Sequence, residues 1–211
     1  MLDILKGQIR NARARRQTFL YGGFTVLAPL ILSLMRSLEQ FIRDMYQVPS
    51  LLESVLEEMT DALIADVIAC ARETGVPRVF VGVARLTCQL ISVAFFERFV
   101  WPYLKKTVFD LLAAGITPVL HLDSDWTKNL EYFLELPAGK VAIELDGTTD
   151  IIKAHQVLRG HTCIIGDVGA PLFTLGTPQQ VSDYCHMLLH ELGRDNGFIL
   201  GSGCHIPLLA K

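Results

Sequence analysis

Hydrophobic positions along the chain follow two alternating periods, and that pattern predicts a parallel β/α protein. Short apolar runs at Arg78–Val83 (RVFVGV), Thr117–Leu122, 140–145, 162–165 and 197–201 (GFILG) read as strands. They are continuous rather than alternating, as expected where both sheet faces are covered. Each is preceded by a helical pattern. Leu52, Val55, Leu56, Met59 and Leu63 recur at helical spacing behind an S-x-x-E capping box at Ser50 and Glu53, with a stop near Gly75. Residues 95–114 read as a helix restarted at Pro102 and capped by Gly115. Residues 127–136 and 150–158 read as two more helices, the second closed by Gly160. Thr177, Pro178 and Gln180 open the last one, a capping hydroxyl with proline at the first helical position, which runs to Gly193. Strands that each come after a helix imply a parallel sheet with helical crossovers.

The N-terminus carries a competing signal. Residues 17–35 hold no charge and lie behind Arg10, Arg13, Arg15 and Arg16, a length and polarity that also suit a membrane span. Gly22, Gly23 and Pro29 interrupt that stretch, and Leu34-Met35-Arg36 offers no small-residue cleavage site. The reading adopted is a strand at about 24–27 followed by a core helix, with no membrane involvement.

Composition narrows the class. Hydrophobic residues make up 51% and charged residues 19%, which excludes a disordered chain. Lys plus Arg is 19 against 22 for Asp plus Glu, so no basic footprint marks a nucleic-acid partner. Five cysteines without a C-x-x-C pair argue against a disulfide framework or zinc finger and fit a reducing, cytoplasmic compartment.

Candidate chemistry gathers where strands end. Arg85 comes after the first clear strand. His121, Asp123 and Asp125 mark the end of the second, Glu144 and Asp146 the third, Asp167 the fourth, and Ser202, Cys204 and His205 the last. In a parallel sheet these positions share one rim, where β/α active sites form. Period-two geometry puts His121 and Asp123 on one face. Imidazole, carboxylate and thiolate are ordinary zinc ligands, so His121, Asp123 and Cys204 are the candidate metal set. Glu144, Asp146 and Asp167 are the candidate catalytic acids and bases. The bland reading keeps Cys204 packed under a turn and His121 hydrogen-bonded to Asp146 or Asp167. Cys70 and Cys185 read as core, Cys163 as a strand residue and Cys88 as a loop residue. His186 and His190, an i, i+4 pair without H-E-x-x-H, read as a surface pair.

Five segments, FIRDMYQVPSLLESVLE, FERFVWPYLKK, TPVLHLDSDWTKNLEYFLELPAGKVAIELDG, GDVGAPLFTLGTPQQVSDYC and GFILGSGCHIP, resemble the uroporphyrinogen decarboxylase superfamily in order and spacing. The resemblance implies a β/α barrel and tilts towards the corrinoid-dependent methyltransferase branch. In its thiol-directed members zinc is held by an H-x-C pair and a final Cys. His121 and Cys204 match the His and the final Cys, whereas Asp123 stands where the other Cys would be. The implied cofactors are zinc and a corrinoid carried by a partner protein, and the implied substrate is a small methylated compound or a thiol. Nothing in residues 1–40 matches the arginine-rich substrate region of the decarboxylase, so tetrapyrrole decarboxylation is the alternative activity.

A complete β/α barrel takes about 250 residues. The chain therefore reads as an incomplete (β/α)8 barrel, the later part of one, with a divergent segment at 1–35 and the barrel portion at 36–211. An open sheet edge implies self-association or a partner chain covering it. A catalytically inactive barrel fragment that pairs with a partner is the non-enzyme alternative.

Overall fold

The computed structural model describes residues 2–194, 197–208 and 210. The chain forms two compact units. One takes in the chain up to Leu86 together with Ser92–Val119, and the other takes in Thr87–Ile91 and the chain from Leu120 onwards.

In the first unit, α1 (Leu2–Ala14) leads to β1 (Gly23–Val26), α2 (Ala28–Met35), α3 (Leu38–Gln47), α4 (Pro49–Thr74), β2 (Arg78–Val83), α5 (Val93–Phe99) and α6 (Trp101–Ala113). β1 pairs parallel with β2, Phe24 opposite Phe80 and Val26 opposite Gly82. The stretch that suited a membrane span is thus β1 and α2, and among the described residues no helix is long and apolar enough to cross a membrane. α1 was not anticipated. Only Leu5 and Ile9, one helical turn apart, are buried on it, against Val76, Phe19 and Cys70.

The S-x-x-E box does not cap α4. Pro49 takes the first turn, Val48 is the cap residue, and no side chain bonds there. Ser50 is therefore already helical, and Glu53 instead pairs with Arg98. The buried stripe of α4 is Leu52, Leu56, Thr60, Ile64, Val67 and Ala71. Val55 lies outside it, and Met59 and Leu63 are half-buried. Gly75 ends the helix at φ +66°, as read from the sequence. The helix expected at 95–114 is two helices, with Val100 at the break between α5 and α6.

β3 (Thr117–Leu122) begins in the first unit and ends in the second. The second unit continues with a 3-10 helix (Thr127–Glu135), β4 (Ala142–Leu145), α7 (Ile151–Leu158), β5 (Cys163–Val168), α8 (Ala170–Leu175), α9 (Pro178–Glu191) and β6 (Phe198–Ser202). Within it the strand order is β3-β4-β5-β6. β4 and β6 both pair parallel with β5, Ile143 opposite Ile164 and Ile165 opposite Ile199. Leu120, Leu122, Ile143, Leu145, Ile164 and Ile165 are all buried, which is why these strands read as continuous apolar runs. α9 opens on the capping box expected of Thr177 and Gln180.

A buried amide ties Thr87–Ile91 into this unit. Asn129 is fully buried, accepts from the Cys88 backbone N–H at 3.0 Å and donates to Cys88 Sγ at 3.0 Å. Removing it takes the acceptor from the half-buried Cys88 N–H and leaves a cavity where a fully buried side chain stood. Asn129→Ala is expected to lower the unfolding free energy by about 1–3 kcal/mol, read by urea denaturation. Amide exchange at 87–91 should accelerate in the variant, and unchanged exchange there would show that another contact holds the segment.

Candidate functional site

The site residues sit where the strands of the second unit end. β3 buries His121 on its penultimate position, with 8% of its surface exposed. Its Nδ1 lies 2.8 Å from Glu144 Oε2 on β4, and its Nε2 lies 3.1 Å from Asp123 Oδ1 just past β3. Burial works against the imidazolium, but the hydrogen bonds and charges of Asp123 and Glu144 outweigh it and raise the His121 pKa to about 10. The bland expectation had a bond to Asp146 or Asp167; the bonds the two ring nitrogens make here are to Glu144 and Asp123.

Two loops hold this pair in place. After β3, Trp126 is fully buried, and its indole N–H donates to the Asp123 carbonyl at 3.0 Å. Its backbone N–H donates to Thr149 Oγ1 at 3.0 Å, reaching the loop after β4. Ser124 takes a left-handed backbone, φ +78°, that non-glycine residues rarely adopt. Its N–H donates to Asp146 Oδ2 at 3.0 Å, while Asp146 Oδ1 accepts from the Thr148 N–H at 2.8 Å. Asp146 is therefore first a loop clasp.

Cys204 arrives from β6. Its neighbour Gly203 passes so close to Asp146 that an added Cβ would lie 2.6 Å from the Asp146 carbonyl carbon. Only glycine permits that approach. The result is that one donor atom each from His121, Asp123 and Cys204 lie within 4.8 Å of one another. Three mixed N, O and S donors at that spacing suit a tetrahedral zinc site with one open position.

Asp167 is the penultimate residue of β5, opposite Gly201, and 2% of its surface is exposed. Tyr184 on α9 donates to its Oδ1 at 2.7 Å. Burial pushes the carboxyl up, the Tyr184 bond partly opposes it, and the like charges of Asp146 and Asp150 add to the rise, giving a pKa of about 6. The Tyr184 hydroxyl is itself raised, by burial and then by its bond to Asp167. Tyr184 was not singled out from the sequence, because a helix residue meeting a strand end leaves no local signal.

The remaining candidates lie elsewhere. Cys70, Cys88, Cys163 and Cys185 are free thiols, half-buried rather than core. His190 is exposed and bonds Glu191. A cavity of about 780 Å³ belongs to the first unit, walled by α1, β1 and α4, and none of the candidate site residues lines it.

Parallel strands with helical crossovers and ionisable groups at their C-terminal ends define a protein of the β/α-barrel class. A family model for uroporphyrinogen decarboxylase (URO-D) matches residues 3–211, and the chain belongs to that family. A solved methyltransferase from Methanosarcina mazei shares the fold, with a TM-score of 0.75 at 17% identity over 99% of this chain. The match covers 60% of that methyltransferase, so this chain spans less than two thirds of its length. No curated protein matches.

Asp167 yields a stability prediction in metal-free protein. Its folded pKa lies above the unfolded value of about 3.9, so its stabilising contribution is complete below that value and is lost as pH rises through about 6. Asp167→Asn keeps an oxygen for Tyr184 and removes the titration. The variant should gain on the wild type from pH 4 to pH 8, by up to about 3 kcal/mol, in denaturant titrations. A difference that does not change with pH would refute the buried, raised carboxyl.

Proposed function

We propose that this protein moves a methyl group between a small substrate and a corrinoid carried by a partner protein, with a zinc ion held by His121, Asp123 and Cys204. The observation that carries this is the convergence of those three donors within 4.8 Å, with His121 backed by Glu144. Family membership and the likeness of fold to a methyltransferase support it. When bound, zinc supplies Lewis acidity, polarising the heteroatom that leaves a methylated substrate or lowering the pKa of an acceptor thiol.

The chain's own residues would do the rest. The Nε2 edge of His121 faces Asp123, and Nδ1–H donates to Glu144, which fixes the tautomer and ring orientation. Glu144 is thus assigned to positioning. Asp167, near neutrality in pKa and steadied by Tyr184, is the group suited to hand a proton to the leaving heteroatom or take one from a thiol. Asp146 holds the two loops that frame these groups.

Elemental analysis tests the metal. Protein purified without chelator is expected to carry near-stoichiometric zinc. Cys204→Ser should weaken binding more than Asp123→Asn, because a thiolate is the softer, stronger zinc ligand. Glu144→Gln should cost roughly 10–100-fold in affinity. No metal in the wild type, or metal content unchanged by combining His121→Ala with Cys204→Ser, would remove the site and the reading with it.

We also assign a second copy or a partner chain to the sheet edges. Among the described residues β1 pairs only with β2 and exposes Phe24, and β6 pairs only with β5 and exposes Ile199 and Leu200. Unpaired edges template further pairing. Sedimentation should show association at micromolar concentration, and a clean monomer would count against it.

A further inference from the structure

The cavity walled by α1, β1 and α4 lies wholly in the first unit and shares no residue with the strand-end site. Its volume, about 780 Å³, is that of a pocket for a small organic molecule. Protein interiors are otherwise packed almost without voids, so a space of this size leaves its walls without contacts that an occupant would supply. Leu5 of α1, Phe24 and Val26 of β1, Phe80 of β2, and Leu63 and Val67 of α4 make the wall apolar. Ile4 and Phe24 are also exposed, which leaves a way in from solvent. α1 closes one side and is held there by little: Leu5 and Ile9 are its buried residues, and Lys6 pairs with Glu73 of α4.

Charge narrows the class of occupant. Asp66 and Glu73 are the charged residues of the wall, and Glu73 already has its cation in Lys6. Among the described residues no lysine or arginine lines the space, so a carboxylate or phosphate would be desolvated beside Asp66 with no cation to meet it. Asp66 itself is exposed and stays hydrated, so it gives a buried ammonium little in return. An uncharged molecule meets neither cost. Thr25 adds a polar requirement. It belongs to the wall, and its hydroxyl is buried without a hydrogen-bond partner among the described residues. Buried hydroxyls are normally paired, and one staggered step about χ1 exchanges Oγ1 with the methyl group.

We infer that this cavity binds an uncharged, mainly apolar small molecule carrying a hydroxyl or carbonyl group that pairs with Thr25. The site stands apart from the methyl-transfer reading and does not depend on it.

The test uses the full chain, kept well below the micromolar range in which edge association is expected. Nile red, an uncharged apolar fluorophore, is expected to bind one per chain with a rise in emission. 1-Octanol should displace it, and octanoate and octylammonium should do so at least about tenfold less well. Thr25→Val keeps the shape and the strand and should weaken 1-octanol roughly five- to tenfold. Ala69→Trp brings a bulky ring to the wall from an exposed position on α4 and should abolish Nile red binding. A measurement on the wild type alone locates the site. 1-Octanol should slow alkylation of Cys70, which is in the wall, and leave Cys163 and Cys185 unchanged. Absence of binding, charged probes that compete as well as 1-octanol, full 1-octanol affinity in Thr25→Val, or alkylation of Cys70 indifferent to 1-octanol would overturn the inference. So would release of Nile red and protection of Cys70 as the chain self-associates, an outcome that gives the cavity to a second copy.

Discussion

A buried imidazole between two carboxylates is the interaction around which the second unit is arranged. An imidazolium taken out of water is costly, and His121 is nearly inaccessible. Asp123 and Glu144 offset that cost from two sides, one from the end of β3 and one from the neighbouring strand. Neither carboxylate reaches the ring unless both strand ends are fixed. Trp126, Thr149, Ser124 and Asp146 lace those ends together through backbone and indole donors. The positive charge of the imidazolium thus lies between Asp123 and Glu144.

The same charge balance bears on which substrates the strand ends favour under the proposed reading. A substrate with several carboxylates needs cationic partners, and residues 123–126, 146–150 and 203–208 hold no lysine or arginine. Asp123 makes the contrast sharper. A thiolate at that position would be soft and polarisable, whereas a carboxylate is hard and adds to the acidic field. Family membership over residues 3–211 establishes descent and fold. The ligand preference of the rim is set by the residues that occupy it.

Most of the fold was legible, for identifiable reasons. Thr117–Leu122 coincides with β3 because a buried parallel strand must be apolar throughout. The capping box of α9 was legible because its signal is local, a hydroxyl three residues before a glutamine with proline between. The Ser50 box failed because Pro49 starts α4 one residue earlier. α1 escaped notice because four arginines dominate its far end and the residues just past it, while only two side chains bury. Of the site, His121, Asp123 and Cys204 were legible as strand-end residues, but the partner of His121 was not. Period two tells which face a residue takes and says nothing about cross-strand register, so the bond between His121 and Glu144 left no trace in the sequence.

Glycine decides how tightly that rim can close. Gly203 lies where any side chain would strike the backbone of Asp146, and Gly166, at φ +139°, lies where one would come within 2.9 Å of the Leu145 carbonyl oxygen. The first brings Cys204 towards β3, and the second brings Asp167 and its Tyr184 partner against the end of β4. Neither glycine bears a reactive group. Yet the donor convergence depends on how close the backbones of β4, β5 and β6 can come, since Cys204 sits half-buried on a loop beyond the end of β6. The Cys204 sulfur is therefore placed by backbone sterics, while the imidazole is placed by charge. A side chain at Gly203 would move the sulfur and also press on Asp146, which accepts from Ser124 beside Asp123, so the two supports of the site meet at Asp146.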